Sequence, residues 1–275
     1  MKIIYLLCFI ISFGIGFACT NPHRPTIAAF VRVKNEIKTI IPCLESIDGV
    51  FDKIIIIHSN EPDDGSIKVM NNWCQKRKAC HIYEYPHAVI PSHTQNQKRI
   101  KYENSLAAYY NFGLEKFEPD DYVVKIDADQ IYITPHLKQT FDFIRMRDAE
   151  NDFVLYGIKG YNTFSHKGRL VKYAGGQMNG GFDSFIIKRK YMKKFINLIY
   201  YETLSYHSDI KSKLIGGSHW FHFMKTLKNK GKTRPTDTAK ESEMVPLTQR
   251  EQQEFETYIR PLLEKYQSPY KNLSF

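Results

Sequence analysis

Cysteine is scarce in this chain of 275 residues, and the five present form no motif. Cys8 and Cys19 fall in an N-terminal apolar segment, leaving Cys43, Cys74 and Cys80. That is an odd set with no C-x-x-C pair, which excludes a zinc site built on cysteine spacing. The expected state is free buried thiols in a reducing compartment, with a Cys74–Cys80 disulfide as the alternative. Internal repeats, low-complexity tracts and linker-like stretches are also missing, so the chain reads as one large domain from residue 26 to 275. No apolar run is long enough for a standard membrane span, the longest being Ile3 to Ala18. Hydrophobic content of 43% and charged content of 25% exclude disorder.

What is present in excess is positive charge, +10 at pH 7 with a pI near 9.2. This favours negatively charged partners: nucleic acid, anionic lipid head groups, phosphorylated sugars or acidic glycans. Charge by itself does not choose among them. The start, "MKIIYLLCFIISFGIGFACT", has the form of a signal or anchor segment over residues 1–20. A lipoprotein signal ending at Cys19 fits less well, because "GFAC" lacks the leucine usual at such a site. Lys2 stands alone upstream, whereas Arg24, Arg32, Lys34 and Lys38 follow. If the segment is retained, the positive-inside bias keeps the body cytoplasmic and membrane-associated; if it is cleaved, the body is exported.

Hydrophobic periodicity then alternates along the chain. "TIAAFVRV", "DKIIIIHS", "HIYEY" and "DDYVVKIDADQIY" read as strands, separated by helices that begin near Lys34, Ile67 and Tyr102. Such alternation predicts an α/β fold, a Rossmann-like and mostly parallel sheet with helices on both faces. Ligands of such sheets bind beyond the carboxyl ends of the strands. The weaker alternation after residue 133 predicts a mixed second half, with helices over 137–146, 191–202 and 248–266 and a helix start at "GGSHWFHFMK". Residues 26–133 would form the nucleotide platform and 134–275 the acceptor half.

The fourth strand ends in Asp127 and Asp129 with one alanine between them. On an extended chain residues i and i+2 point the same way, and two adjacent carboxylates call for a positive charge. A divalent cation, Mn²⁺ or Mg²⁺, carrying a nucleotide diphosphate would supply it. A bare D-x-D arises by chance, so its place after a buried strand is what gives it weight. At the equivalent rims, "NEPDDGS" offers Asn60 and Asp64 to a base or ribose, and the first strand's exit offers Arg32 and Glu36. An ordinary helix cap explains Asp64 equally well. In "GGSHWFHFMK", His219 and His222 are candidate imidazole ligands, although an aromatic-rich segment of this kind is commonly core. Asp183, in "NGGFDSF", stands where a general base could act, or where a turn residue would sit.

In "AFVRVKNE" followed by "LESI", in "DDGS", "YYNF" and "KIDADQIY", and less closely in "HWFHFMK", the chain resembles GT-A glycosyltransferases. Among these it is similar to bacterial β-1,4-N-acetylgalactosaminyltransferases of lipooligosaccharide synthesis, as in Campylobacter, over roughly residues 26 to 230. The resemblance implies inverting transfer of a sugar, N-acetylgalactosamine, from a UDP-sugar donor to a glycan or glycolipid acceptor, with manganese at the D-x-D. It implies Asp127 toward the donor's ribose or the metal and Asp129 on the metal. His219 would be the third ligand, with His222 in reserve because the local match slides by one residue, and Asp183 the base. An anionic membrane surface is an expected partner and nucleic acid is not. Alternatives are a GT-A enzyme using another nucleotide sugar for capsule or glycoprotein glycan, and an inactive transferase-like protein that is secreted or tethered. A metal-dependent nuclease would need more carboxylates near the D-x-D than the sequence places there.

Overall fold

The structure, a computed structural model, describes residues 24–90, 100–148, 153–178, 184–198, 202–223 and 244–275. The elements run β1 (Ile27–Val33), α1 (Ile40–Ile47), β2 (Lys53–Ser59), α2 (Ser66–Cys74), β3 (Cys80–Tyr85), α3 (Leu106–Leu114), β4 (Tyr122–Asp127), β5 (Gln130–Tyr132) and α4 (Thr134–Met146). There follow β6 (Val154–Gly157), β7 (Gly160–His166), β8 (Arg169–Met178), β9 (Phe185–Lys188), β10 (Met192–Asn197), β11 (Glu202–Tyr206), β12 (Lys211–Leu214), β13 (Trp220–Phe223) and β14 (Met244–Pro246). Helix α5 (Gln249–Glu254) and helix α6 (Arg260–Lys265) are joined by a π-helical turn over Phe255–Ile259, filling the expected C-terminal helix.

The expected α/β class is found. A seven-stranded sheet has the order β12-β6-β9-β4-β1-β2-β3, in which β3, β2, β1 and β4 are mutually parallel and β9 runs against β4. Period-two alternation explains why both of its faces are covered. On β1, Ile27, Ala29, Val31 and Val33 pack toward α1, α2 and α4, while Ala28 and Phe30 pack toward α3. Arg32 continues the α3 side at the strand's exit. Gly113 lets α3 lie flush on the sheet, since a Cβ there would come within 2.4 Å of the Phe30 ring. Ser105 caps the helix, its hydroxyl accepting from the Ala108 amide at 3.2 Å. The start of α3 is thereby fixed against the crevice at the strand exits.

The second half does not form a body of its own. Strands β6, β9 and β12 extend the main sheet, and the five-stranded sheet β14-β8-β7-β13-β5 takes its edge strand β5 directly from the D-x-D segment. Its own core, with Ile131, Phe221 and Phe223, packs on Phe255, Ile259 and Leu263 of the C-terminal helices.

Three expectations are corrected. Among the described residues of 191–202 there is no α-helix. Here β10 and β11 form an antiparallel ribbon, and a register shift between Met192 and Lys194 buries Met192 and Phe195, three apart, which imitates a helical repeat. "WFHF" is the strand β13 rather than a helix start, paired with β5 and β7. Cys74 and Cys80 are joined in a disulfide, because the end of α2 and the start of β3 bring their Cα atoms to 5.3 Å; Cys43 stays a free buried thiol.

Candidate active site

The exits of β1, β2 and β4 border a cleft of about 310 Å³ on the α3 side. Its lining includes Arg32, Lys34, Glu36, Ser59, Asp127, Asp129 and His222, together with Val89, Leu106, Tyr109 and Tyr110. Arg32 and Asp127 are register partners on neighbouring parallel strands, and the Arg32 guanidinium pairs with the Asp127 carboxylate. Arg32 also approaches Glu202 at 3.6 Å and lies over the Tyr110 ring at 4.3 Å. Its Nε is buried with no hydrogen-bond partner among the described residues. Two residues back along β4, the buried Lys125 ammonium stands 3.9 Å from Asp127. Part of the positive charge that the D-x-D calls for is therefore supplied by the fold.

Asp129 has a different neighbour. His222 Nε2 lies 3.0 Å from Asp129 Oδ2, and the Asn162 amide oxygen holds His222 Nδ1 at 2.8 Å. Both contacts follow from register, since His222 pairs with Gln130 of β5 on one side and with Asn162 of β7 on the other. His219, expected as the third ligand, is placed elsewhere. It is 1% exposed, and its ring nitrogens meet the Thr140 hydroxyl at 3.0 Å and the Lys159 carbonyl at 3.3 Å. A carbonyl can only accept, so Nδ1 carries the hydrogen and Nε2 accepts from Thr140. Burial pushes the imidazole down to about 4, against the opposing Lys159 hydrogen bond. On a helix two residues three apart share a face; on an extended chain they point to opposite sides, which is why the reserve candidate, and not the first, reaches Asp129.

Glu36 lines the cleft as expected. Asp64 lines a neighbouring cavity, and its carboxylate is held by backbone N–H groups of Ile37 and Ser66 and by the Ser66 hydroxyl. Burial alone would raise Asp64, but these hydrogen bonds outweigh it and keep the carboxyl below the usual range. Asn60 is exposed at the rim, its backbone N–H bound to the Tyr85 carbonyl, while its neighbour Ser59 lines the cleft. Asp183 lies outside the described residues.

Several lining residues were given no site role by the sequence. Leu106, Tyr109 and Tyr110 read as the apolar face of a helix, yet with Val89 they make an apolar slot in the lining of the cleft. The Tyr109 hydroxyl donates to the Ile57 carbonyl at 2.6 Å and fixes the floor. Glu61 gathers the Lys34 ammonium, the Ser59 hydroxyl and the Val89 amide, each at 2.9 Å, clasping the first two strand exits to the slot.

A divalent cation can be tested against the donor set. Among the described residues no group of three or more His, Cys, Asp or Glu side chains is arranged to hold one. Asp129 and His222 nevertheless fit as two donors, a carboxylate oxygen and an imidazole nitrogen facing each other in the cleft. That oxygen and nitrogen pair suits manganese.

A parallel sheet with a carboxylate-bearing crevice at its strand exits is the architecture of an α/β protein that binds its ligand at those exits. The family model for β-1,4-N-acetylgalactosaminyltransferase (CgtA) matches residues 18–231, and the chain belongs to that family. No curated protein sequence matches the chain. Among solved structures it is similar to S. aureus TarS 1–349 (11% identity, TM-score 0.47, covering 72% of this chain and 60% of that one). The same TarS fragment in complex with UDP gives 12% identity, TM-score 0.47 and coverage of 74% and 61%. Glucosyl-3-phosphoglycerate synthase from Mycobacterium tuberculosis, in complex with Mn²⁺, UDP and phosphoglyceric acid, gives 18% identity, TM-score 0.31 and coverage of 52% and 44%. The chain thus spans about three fifths of the TarS fragment and under half of the synthase. These likenesses are too distant to bear on chemistry.

Proposed function

We propose that the cleft binds a UDP-sugar and that the protein transfers N-acetylgalactosamine from it to a hydroxyl of a glycan or glycolipid acceptor with a divalent cation, Mn²⁺ or Mg²⁺. The family supports the sugar. The observation that carries the site is the convergence of Asp127, Asp129 and His222 with Arg32 in one cleft that Val89, Leu106 and Tyr109 also line. The apolar lining suits a planar base, with Ser59, Asp64 and Asn60 near the rim for its polar edge, and the charged groups suit a diphosphate. Arg32 brings a buried N–H without a partner, a donor that a phosphate oxygen would satisfy once the side chain turns from Asp127.

Asp129 and His222 would hold the cation, joined by Asp127 once Arg32 has turned to the phosphate. When bound, the cation supplies charge that stabilises the departing diphosphate. The chain's own part is to orient the donor and to place Arg32 and Lys34 where negative charge develops, the kind of term that dominates many enzymes. In an inverting transfer the acceptor oxygen bonds to the anomeric carbon, the bond from that carbon to the diphosphate breaks, and the acceptor proton goes to a carboxylate. Asp183 remains the proposed base.

Turnover measured over a panel of UDP-sugars tests this function. Transfer or hydrolysis is expected with UDP-N-acetylgalactosamine, abolished in Asp129→Ala and retained in His219→Gln. An active Asp129→Ala enzyme removes the cation site, and activity confined to another nucleotide sugar selects the alternative donor. For location, the Cys74–Cys80 bridge favours an oxidising compartment and hence the exported alternative.

A further inference from the structure

His222 reaches Asp129 under the control of the strand beside it. Strand β7 runs parallel to β13, with Asn162 opposite His222. The two strands lie close along this stretch: a Cβ at Gly160 would come within 2.4 Å of the Trp220 carbonyl oxygen, and the Tyr161 and Phe221 ring centroids are 4.9 Å apart. Thr163, fully buried, donates its hydroxyl to the His222 carbonyl at 2.9 Å and so fixes the backbone of the histidine. Asn162 takes the side chain, its amide oxygen 2.8 Å from His222 Nδ1. On its other flank β7 pairs with β8, and there the register steps from Tyr161–Gln177 to Thr163–Lys172 across Asn162. The ladder is thus interrupted at Asn162 on the β8 side, while its rung with His222 is kept; irregularities of this kind beside a site commonly serve to aim a side chain.

We propose that Asn162 is a positioning residue of the cation site: its amide oxygen fixes the ring hydrogen of His222 on Nδ1, so that Nε2 turns its lone pair to the cation. This rests on the cation-dependent function above and adds to it a residue that touches neither the donor nor the ion. An amide oxygen can only accept, so the ring nitrogen it meets must donate. In the neutral ring Nε2 is then the acceptor, and it stands 3.0 Å from Asp129 Oδ2. About 3 Å is also the edge of an octahedron with bonds of about 2.1 Å, so the two atoms are already spaced as adjacent ligands of one ion. Histidines that ligate metals commonly donate their other ring hydrogen to an oxygen, and loss of that oxygen typically costs about 10- to 100-fold in metal affinity. A carboxylate would raise the basicity of the ring further than an amide does, so an aspartate in place of Asn162 keeps the function. Asn162 lies 60 positions before His222 and is brought to it by strand register alone.

Calorimetric titration of Mn²⁺ into the full chain, with UDP present, tests this. In Asn162→Leu, which keeps the volume and removes the acceptor, Mn²⁺ affinity should fall about tenfold or more. In Asn162→Asp, which keeps an acceptor oxygen, it should stay within about threefold of the unaltered protein or exceed it. In a His222→Ala background the leucine should change Mn²⁺ affinity by less than about twofold, because Asn162 acts only through the ring. Long-range proton–nitrogen NMR of the unaltered protein with Mg²⁺ and UDP should find the His222 ring hydrogen on Nδ1; that measurement needs no variant and decides the matter even if Asn162→Leu does not fold. Unchanged Mn²⁺ affinity in Asn162→Leu, an equal loss in Asn162→Asp, an equal loss in the His222→Ala background, or a ring hydrogen on Nε2 overturns the proposal. An unaltered protein that binds UDP but no Mn²⁺ would bring down the cation site itself and this role with it, whereas failure in the variants alone strikes only Asn162.

Discussion

His219 shows how much a side chain's job depends on which way its backbone turns. As a neutral, buried imidazole bonded to Thr140 and Lys159 it works as a strut between α4 and the end of β6, whereas His222, three residues on, faces the cleft. Its depressed pKa has a stability consequence whose sign is definite. The folded value of about 4 lies below the unfolded 6.5, so between these pH values the unfolded chain binds the extra proton. His219 therefore contributes fully above pH 6.5, and its contribution is lost as pH falls toward 4, by about 3 kcal/mol at the limit. Denaturant midpoints over that range should drop, and the slope should flatten in His219→Gln; an equal slope in both proteins would place the sensitive group elsewhere. From sequence, the place of Asp127, Asp129, Arg32 and Glu36 was legible because each lies at or just beyond the end of a strongly patterned strand. The choice between the two histidines was not, because an aromatic-rich run of four residues has no period long enough to separate helix from strand.

At the scale of elements, the short link between α2 and β3 is closed by a crosslink. A crosslink over the six-residue separation of Cys74 and Cys80 restricts the unfolded chain modestly, by roughly 2 kcal/mol on chain-entropy grounds. Reduction, or Cys80→Ser, should lower the unfolding free energy by about that amount, measured by denaturant titration with and without a phosphine reductant. Thiol titration of unreduced, denatured protein should leave both cysteines unreactive, and two reactive thiols at these positions would return the chain to the free-thiol expectation and remove the support for an oxidising compartment. The sequence offered a Cys74–Cys80 bridge only as the alternative to free thiols, since a disulfide is set by Cα separation in space. The ribbon β10–β11 was missed for a related reason. A bulge changes the burial repeat from two to three, and only the partner strand reveals that the chain is extended.

For the whole molecule, the cleft and the neighbouring cavity are both made at the junction of the two halves, so ligand binding should stabilise the fold as a unit. UDP with Mn²⁺ at a hundred times its dissociation constant should add about 2.7 kcal/mol, a rise in thermal midpoint of roughly 5 °C. Mn²⁺ alone should add less, because Asp129 and His222 provide only two of the donors expected of the chain. A midpoint unmoved by the pair together would remove nucleotide binding from the cleft.

The sequence by itself determined the parallel platform and the placing of the D-x-D at a strand exit, because patterned strands and short crossovers leave few ways to arrange four buried strands and their helices, and its motifs carried the resemblance to the family. Tertiary structure alone decided which histidine meets Asp129, that Arg32 pairs with Asp127, and that the C-terminal segment walls a second cavity against the β1–α1 loop. Those contacts join residues tens to hundreds of positions apart, and their existence depends on strand register and packing, which no local pattern in the chain encodes.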